Sequence, residues 1–204
     1  MPTLRRLDPD RPDATLIQEA RELLLSGSLA IIPTDTVYGI AADPRIPGML
    51  DRLFEAKQRS PDKAIPFLIG SVDALDVCGA EMSPAAKALA ARFWPGPLTL
   101  VVPIRGGRLQ GFRIPAHAVA LAVLNAVGCP LAVTSANRSG CPPARTAEDA
   151  ARDVGDDVAL VLDAGPSPGA VASSVVRAVG EDIEVLREGA VSRAQIDAVV
   201  STSD

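Results

Sequence analysis

Residues 31–44 read IIPTDTVYGIAADP. Two β-branched apolar residues, Ile31 and Ile32, run into Pro33, and Thr34, Asp35, Thr36 and Tyr38 follow before Gly39. A proline has no N–H for a sheet ladder, so a buried strand over residues 29–33 stops there. The hydroxyls beyond it are either a turn, bonding their own backbone, or the floor of a ligand site. The same pattern returns where the strand PLAVT (130–134) gives way to SANRSG (135–140). In open α/β sheets ligands sit outside strand ends of this kind.

Around these two strands, helical and extended segments alternate. Leu16, Ile17, Ala20, Leu23 and Leu24 recur at helical spacing before Gly27. Pro47 opens a second helix running to about Lys57. AIPFLIG (64–70) reads as a strand, and its Pro66 points to an edge or a bulge. Ser83-Pro84 starts a helix that ends at WPGP. LTLVVPI (98–104) and GFRIP (111–115) flank a Gly-Gly turn as a hairpin, and residues 117–127 are helical. Thr146 caps a helix, VALVLD (158–163) is a strand, and SSVVRAV and IEVLRE form a second hairpin across Gly180. Ser192 and Gln195 make a capping box for the last helix. Alternation plus two hairpins implies one α/β domain with a twisted mixed parallel and antiparallel sheet and flanking helices. The domain is expected over 1–204, with a core from about 14 to 200 and mobile ends.

At 204 residues one domain is the better prior. A net charge of -5 gives no general attraction to nucleic acid, so RNA would need a local basic patch. There is no secretory signal and no apolar run of ~18 residues, so neither export nor a membrane span is expected. Cys78, Cys129 and Cys141 form no CxxC pair, which fits a reducing cytoplasm and free thiols, with Cys141 the most exposed. His117 is the single histidine, read as a capping or surface residue; a zinc site would lack ligands. No Walker, GxGxxG or HExxH sequence is present.

A cluster of cations lies in KQRSPDK, with Lys57, Arg59 and Lys63 around a proline. Cations at a helix end can be solvated partners of the helix dipole, or they can bind phosphate through a guanidinium fork and an ammonium point charge. Ser135 and Asn137 can form a turn or recognise a polar ligand.

The stretches PTDTVYG, KQR, WPGPLT, FRIPAH, TSANRSG, SSVV and VLREGA occur in this order. The set resembles the YrdC-like threonylcarbamoyl-AMP synthase family in its short form, over residues 20–196. The resemblance implies a twisted α/β sandwich with a deep concave cleft. It implies condensation of L-threonine, bicarbonate and ATP into threonylcarbamoyl-adenylate and pyrophosphate, with magnesium on the ATP phosphates. The product would serve other proteins that modify tRNA, with possible direct tRNA contact. By resemblance the catalytic set is Lys57, Arg59, Ser135 and Asn137. Thr36, Arg113 and Ser173 match threonine contacts, and Arg59, Lys63, Thr99, Ser135, Asn137 and Arg187 match ATP contacts.

The chain departs from that pattern in three places. Leu68 stands where many members have a histidine near threonine, REG (187–189) replaces Arg-Pro-Gly, and Ser60 shifts the proline after KQR by one position, which bears on Lys63. An RNA-binding module of the same fold is the alternative reading. A carbamoyl-transfer domain of the hydrogenase-maturation type and an inactive paralogue are further rivals. The first usually brings zinc-finger cysteines and a longer chain, and the second should show losses among the four signature residues.

Overall fold

The computed structural model describes residues 2–58, 60, 64–169 and 171–201. In chain order, β1 (Thr3–Arg6), α1 (Ala14–Leu25), β2 (Leu29–Ile32) and β3 (Gly39–Ala42) come first. Next are α2 (Met49–Ala56), β4 (Phe67–Leu68), α3 (Asp73–Val77) and α4 (Pro84–Phe93). The second half runs β5 (Leu98–Pro103), β6 (Leu109–Arg113), α5 (Ala118–Val127), β7 (Leu131–Ser135) and α6 (Ala147–Val154). It ends with β8 (Val158–Asp163), β9 (Ser174–Val179), β10 (Asp182–Arg187) and α7 (Arg193–Val200). The strands form one ten-stranded sheet, ordered β1-β8-β2-β3-β7-β4-β6-β5-β9-β10. Four pairs in it are parallel and the rest antiparallel, the mixed sheet expected from the alternation.

Side chains alternate across the strands, and this alternation builds the layers. On β2, Leu29 and Ile31 join a core with Met49 and Leu53 of α2 and Ala150 of α6. Ala30 and Ile32 face the other way, onto Leu24 of α1 and Val123 of α5. On β5, Leu98, Leu100 and Val102 pack with Leu89 of α4 and Ile196 of α7. Burying each of these large side chains contributes about 1.5–3 kcal/mol. The alternate residues, Thr99 and Val101, face an open cleft. On the neighbouring strands Gly111 and Arg113 of β6 and Val175 of β9 also turn that way. The far half of the sheet therefore buries one face under helices and turns the other into a concave site.

The helix starts follow the capping chemistry. Asp13 accepts from the N–H groups of Thr15 and Leu16, Ser83 from Ala86 and Thr146 from Asp149. The capping box at Ser192 and Gln195 is closed in both directions. Several expectations are corrected. The N-terminal residues expected to be mobile contain β1, which pairs in parallel with β8. β4 lies inside the sheet between β7 and β6 and is only two residues long. Pro66 sits just before its ladder, and its carbonyl still accepts from Val133 N–H at 3.1 Å, so the missing donor costs nothing there. Helix α2 begins after Pro47, with Gly48 in the left-handed region at its N-cap. Alternation alone did not reveal β3 or the short α3.

Candidate active site

Of the four polar residues after Pro33, Thr34, Thr36 and Tyr38 line a cleft, and the four differ in what their side chains bond. Thr34 Oγ1 donates to Val37 O at 2.7 Å and accepts from the N–H groups of Thr36 and Val37 at 3.2 and 3.3 Å. It is the turn. Tyr38 is fully buried; its hydroxyl donates to Gly165 O at 2.6 Å and accepts from Ala164 N–H at 3.2 Å. Burial pushes its pKa up to about 12, so it remains a neutral pin between β3 and β8. Asp35 and Thr36 reach instead to Arg113 at the end of β6.

The Arg113 guanidinium is held in three directions. Nε donates to Gly96 O at 3.0 Å, Nη1 to Thr36 Oγ1 at 3.0 Å and Nη2 to Asp35 Oδ1 at 2.5 Å. Burial pushes its pKa down, opposed by Asp35, while Arg187 adds a second downward push. The two guanidiniums thus feel each other across one cleft of about 610 Å³. Leu68 pairs with Arg113 across β4 and β6 and also lines the cleft, so an apolar wall stands beside this cation.

Proton and lone-pair counting bears on Thr36. Thr34 spends its one proton on Val37 O and both lone pairs on the N–H groups of Thr36 and Val37, so no lone pair is left to accept across its 3.0 Å contact with the Thr36 hydroxyl. Thr36 accepts from Arg113. It keeps its own proton and one lone pair, and can meet a ligand group as donor or as acceptor.

Donors also gather at β5 and beside β9. Thr99 Oγ1 and Ser173 Oγ lie 2.9 Å apart, and Arg187 donates to Ser173 O through Nε at 3.1 Å and Nη2 at 2.7 Å. Whichever hydroxyl donates in that pair, the other keeps its proton for a ligand. Burial pushes the Arg187 pKa down, and among the described residues no carboxylate pairs with it. This side of the cleft offers donors and an uncompensated cation to an anion.

The signature residues behind β7 are more deeply set than sequence reading implied. β3 and β7 pair through Gly39 and Ser135, which brings the two hydroxyl-rich strand ends side by side. Ser135 lines the cleft with Thr36. Lys57, the C-cap of α2, is 3% exposed, which rules out the solvated helix-end reading. Its ammonium donates to Ser135 O and, at 2.6 Å, to Asn137 O, with Ser135 Oγ and Asn137 Oδ1 each 3.4 Å away. Asn137 Nδ2 turns into its own loop, donating to Arg138 O and Cys141 O at 3.1 and 2.7 Å. Lys57 and Asn137 therefore organise the loop that presents Ser135, and neither lines the cleft wall itself. Arg59 and Lys63 lie outside the described residues.

Sequence reading missed Asp35 as the carboxylate partner of Arg113 and Ser174 as an organiser of the 187–191 turn. Asp35 was legible as a charge in a polar run, but its partner lies 78 positions away. His117 occupies the N-cap of α5 without a side-chain cap bond, and its buried Nδ1 has no partner among the described residues. Burial pushes its pKa down, partly opposed by Asp35 and Asp10. A group with a folded pKa below its unfolded one stabilises fully above about pH 6.5 and loses that contribution as pH falls through the folded value. Stability should therefore drop on acidification, and His117→Gln should flatten the slope in denaturant melts. Parallel slopes for the two proteins would mean that His117 titrates alike folded and unfolded.

A mixed α/β sheet with a hydroxyl-and-guanidinium subsite and a cationic, donor-rich subsite in one cleft is an arrangement suited to a small, partly anionic ligand. The comparisons assign the chain to a family. The family model Sua5/YciO/YrdC, described as "Telomere recombination", matches residues 22–189, and the chain belongs to this family. A Mycobacterium tuberculosis relative is 38% identical over 203 residues, covering 95% of this chain and 92% of that protein. The Bacillus subtilis threonylcarbamoyl-AMP synthase is 33% identical over 194 residues. The alignment covers 90% of this chain but 56% of the Bacillus protein, so the chain spans little more than half of that relative. The Pyrococcus abyssi Sua5 structure complexed with L-threonine superposes with a TM-score of 0.88 at 33% identity, over 98% of this chain and 60% of that one.

Proposed function

We propose that the protein is an L-threonylcarbamoyladenylate synthase. The observation that carries this reading is the pairing of two subsites in one cleft: the Thr36 hydroxyl beside the Arg113 cation, and donors around Arg187 at the other end. L-Threonine carries the amine and hydroxyl donors that Thr36 can accept and a carboxylate suited to a guanidinium fork. ATP carries the anionic charge suited to Arg187, Thr99 and Ser173. The names of the relatives favour an enzyme over an RNA-binding module of the same fold.

In the proposed reaction the threonine amine adds to bicarbonate with loss of water, giving a carbamate. A carbamate oxygen then attacks the α-phosphorus, the bond to the β-phosphate oxygen breaks and pyrophosphate leaves. Nucleophile and phosphate are both anions, so the cleft's main task is to offset that repulsion with fixed positive charge and donors. Arg113, Arg187 and the loop organised by Lys57 supply these, and positioning supplies the rest. Arg59 and Lys63 remain part of the proposed ATP site by resemblance, as does Asn137. Magnesium would arrive with ATP, held by phosphate oxygens and water. The product would pass, in the cytoplasm, to a transferase acting on tRNA.

The test is to incubate the protein with ATP, bicarbonate and single amino acids and to measure pyrophosphate and the acyl-adenylate. Formation should require threonine and bicarbonate together; ATP consumption indifferent to either would end the synthase reading. Thr36→Val is nearly isosteric but removes the hydroxyl. It should raise the KM for threonine roughly 10–100-fold, the worth of one charge-assisted hydrogen bond, with little change for ATP. Thr36→Ser should restore most of the loss. An unchanged KM in Thr36→Val would return Thr36 to a turn role.

A further inference from the structure

We propose that Ser174, a residue away from the cleft surface, positions Arg187 for the nucleotide; this rests on the assignment of Arg187 to ATP. Ser174 is fully buried at the start of β9. Its hydroxyl donates to Val191 O at 2.5 Å and accepts from Gly189 N–H at 2.8 Å and Val191 N–H at 3.0 Å. That is the whole capacity of a serine hydroxyl, one donor and two acceptors, spent on the single turn that follows Arg187.

The rest of the turn is equally constrained. Ala190 N–H donates to Ala172 O at 3.1 Å. A Cβ at Gly189 would lie 2.3 Å from Ala172 O and 2.7 Å from the Ser173 carbonyl carbon, so the turn lies directly on the backbone before β9. Arg187 is thereby folded back onto Ser173, its guanidinium bonded to the carbonyl of the residue preceding Ser174. The guanidinium is partly desolvated and, among the described residues, has no carboxylate to hold it. An unpaired cation gains by swinging into water, and what opposes that motion is the cohesion of the turn. Ser174 is the side chain that ties both of its strands of backbone together.

The experiment measures the Kd for ATP by calorimetry in the wild type, Arg187→Ala, Ser174→Ala and the double variant, alongside amide exchange at Gly189 and Val191. Arg187→Ala should weaken ATP binding roughly 10–100-fold, the loss of a charge-assisted contact. Ser174→Ala should weaken it about tenfold on the same scale, with faster exchange at both amides. In the double variant the Ser174 change should add nothing, because the residue acts through an arginine already gone. Ser174→Thr, which keeps the hydroxyl, should recover binding. A lower melting temperature with unchanged ATP affinity, or effects that add in the double variant, would overturn the proposal and leave Ser174 purely structural. Absence of ATP binding in the wild type would instead overturn the synthase reading on which it rests.

Discussion

Lys57→Ala is expected to lose roughly 10²-fold in turnover, the usual cost when a change away from the reacting atoms lets a cleft residue, here Ser135, shift by about 1 Å. It is also expected to be clearly less stable, and this second effect comes from the tertiary structure. As a surface cation the residue could be truncated within about 0.5 kcal/mol. As a buried ammonium that bonds the carbonyls of Ser135 and Asn137, it cannot. Asn137 O left without that donor costs about 1–3 kcal/mol, whereas Ser135 O keeps the Asn137 N–H at 2.9 Å. Ser139 N–H also donates to Lys57 O at 3.0 Å, so the loop carrying Ser135 is tied to α2 by both backbone and side chain. Denaturant melts and pyrophosphate assays on the same preparation separate the two effects. Full turnover with reduced stability would make Lys57 a clamp and nothing more. Wild-type values for both would contradict the geometry.

Arg113→Ala should be the most damaging single change, with about 3–5 kcal/mol of stability lost and threonine binding abolished. The stability loss arises because Asp35, whose side chain is 10% exposed, is left as an uncompensated buried charge. Gly96 O and Thr36 Oγ1 lose their donor as well. Arg113→Lys should bind threonine poorly despite its charge, since an ammonium does not reproduce the planar fork. The double variant Asp35→Asn with Arg113→Met removes both charges. It should recover part of the stability and none of the binding, which distinguishes a broken site from a broken fold. Recovery of threonine binding in that double variant would show that Arg113 does not touch the substrate.

Much of the architecture was legible locally. The hairpins at β5–β6 and β9–β10 follow from apolar runs flanking glycine turns, and the starts of α4, α6 and α7 from Ser83, Thr146 and Ser192 with their capping partners. These features depend on contacts a few residues apart, so the chain writes them in adjacent letters. β1 was not legible, because four exposed residues become a strand only by pairing with β8, more than 150 positions later. β4 was read as an edge or a bulge, and its place between β7 and β6 was hidden for the same reason. Proline reports the absence of one donor but says nothing of which strands stand on either side.

The site divides along the same line. Sequence alone determined that two strands end in hydroxyls, that cations gather near Lys57 and that Arg113, Ser173 and Arg187 belong to ordered motifs. Only the tertiary structure decided the role of each. Thr34 and Thr36 are two positions apart and chemically identical, yet one spends its hydroxyl on a turn and the other accepts from the Arg113 guanidinium. Ser173 and Ser174 are adjacent, and strand alternation sends one to the cleft and the other into the 187–191 turn. Lys57 became a buried clamp because the end of β7 and the loop after it place two carbonyls around its ammonium. Residue type sets what a side chain can donate or accept, but the partner that uses up that capacity is supplied by distant chain.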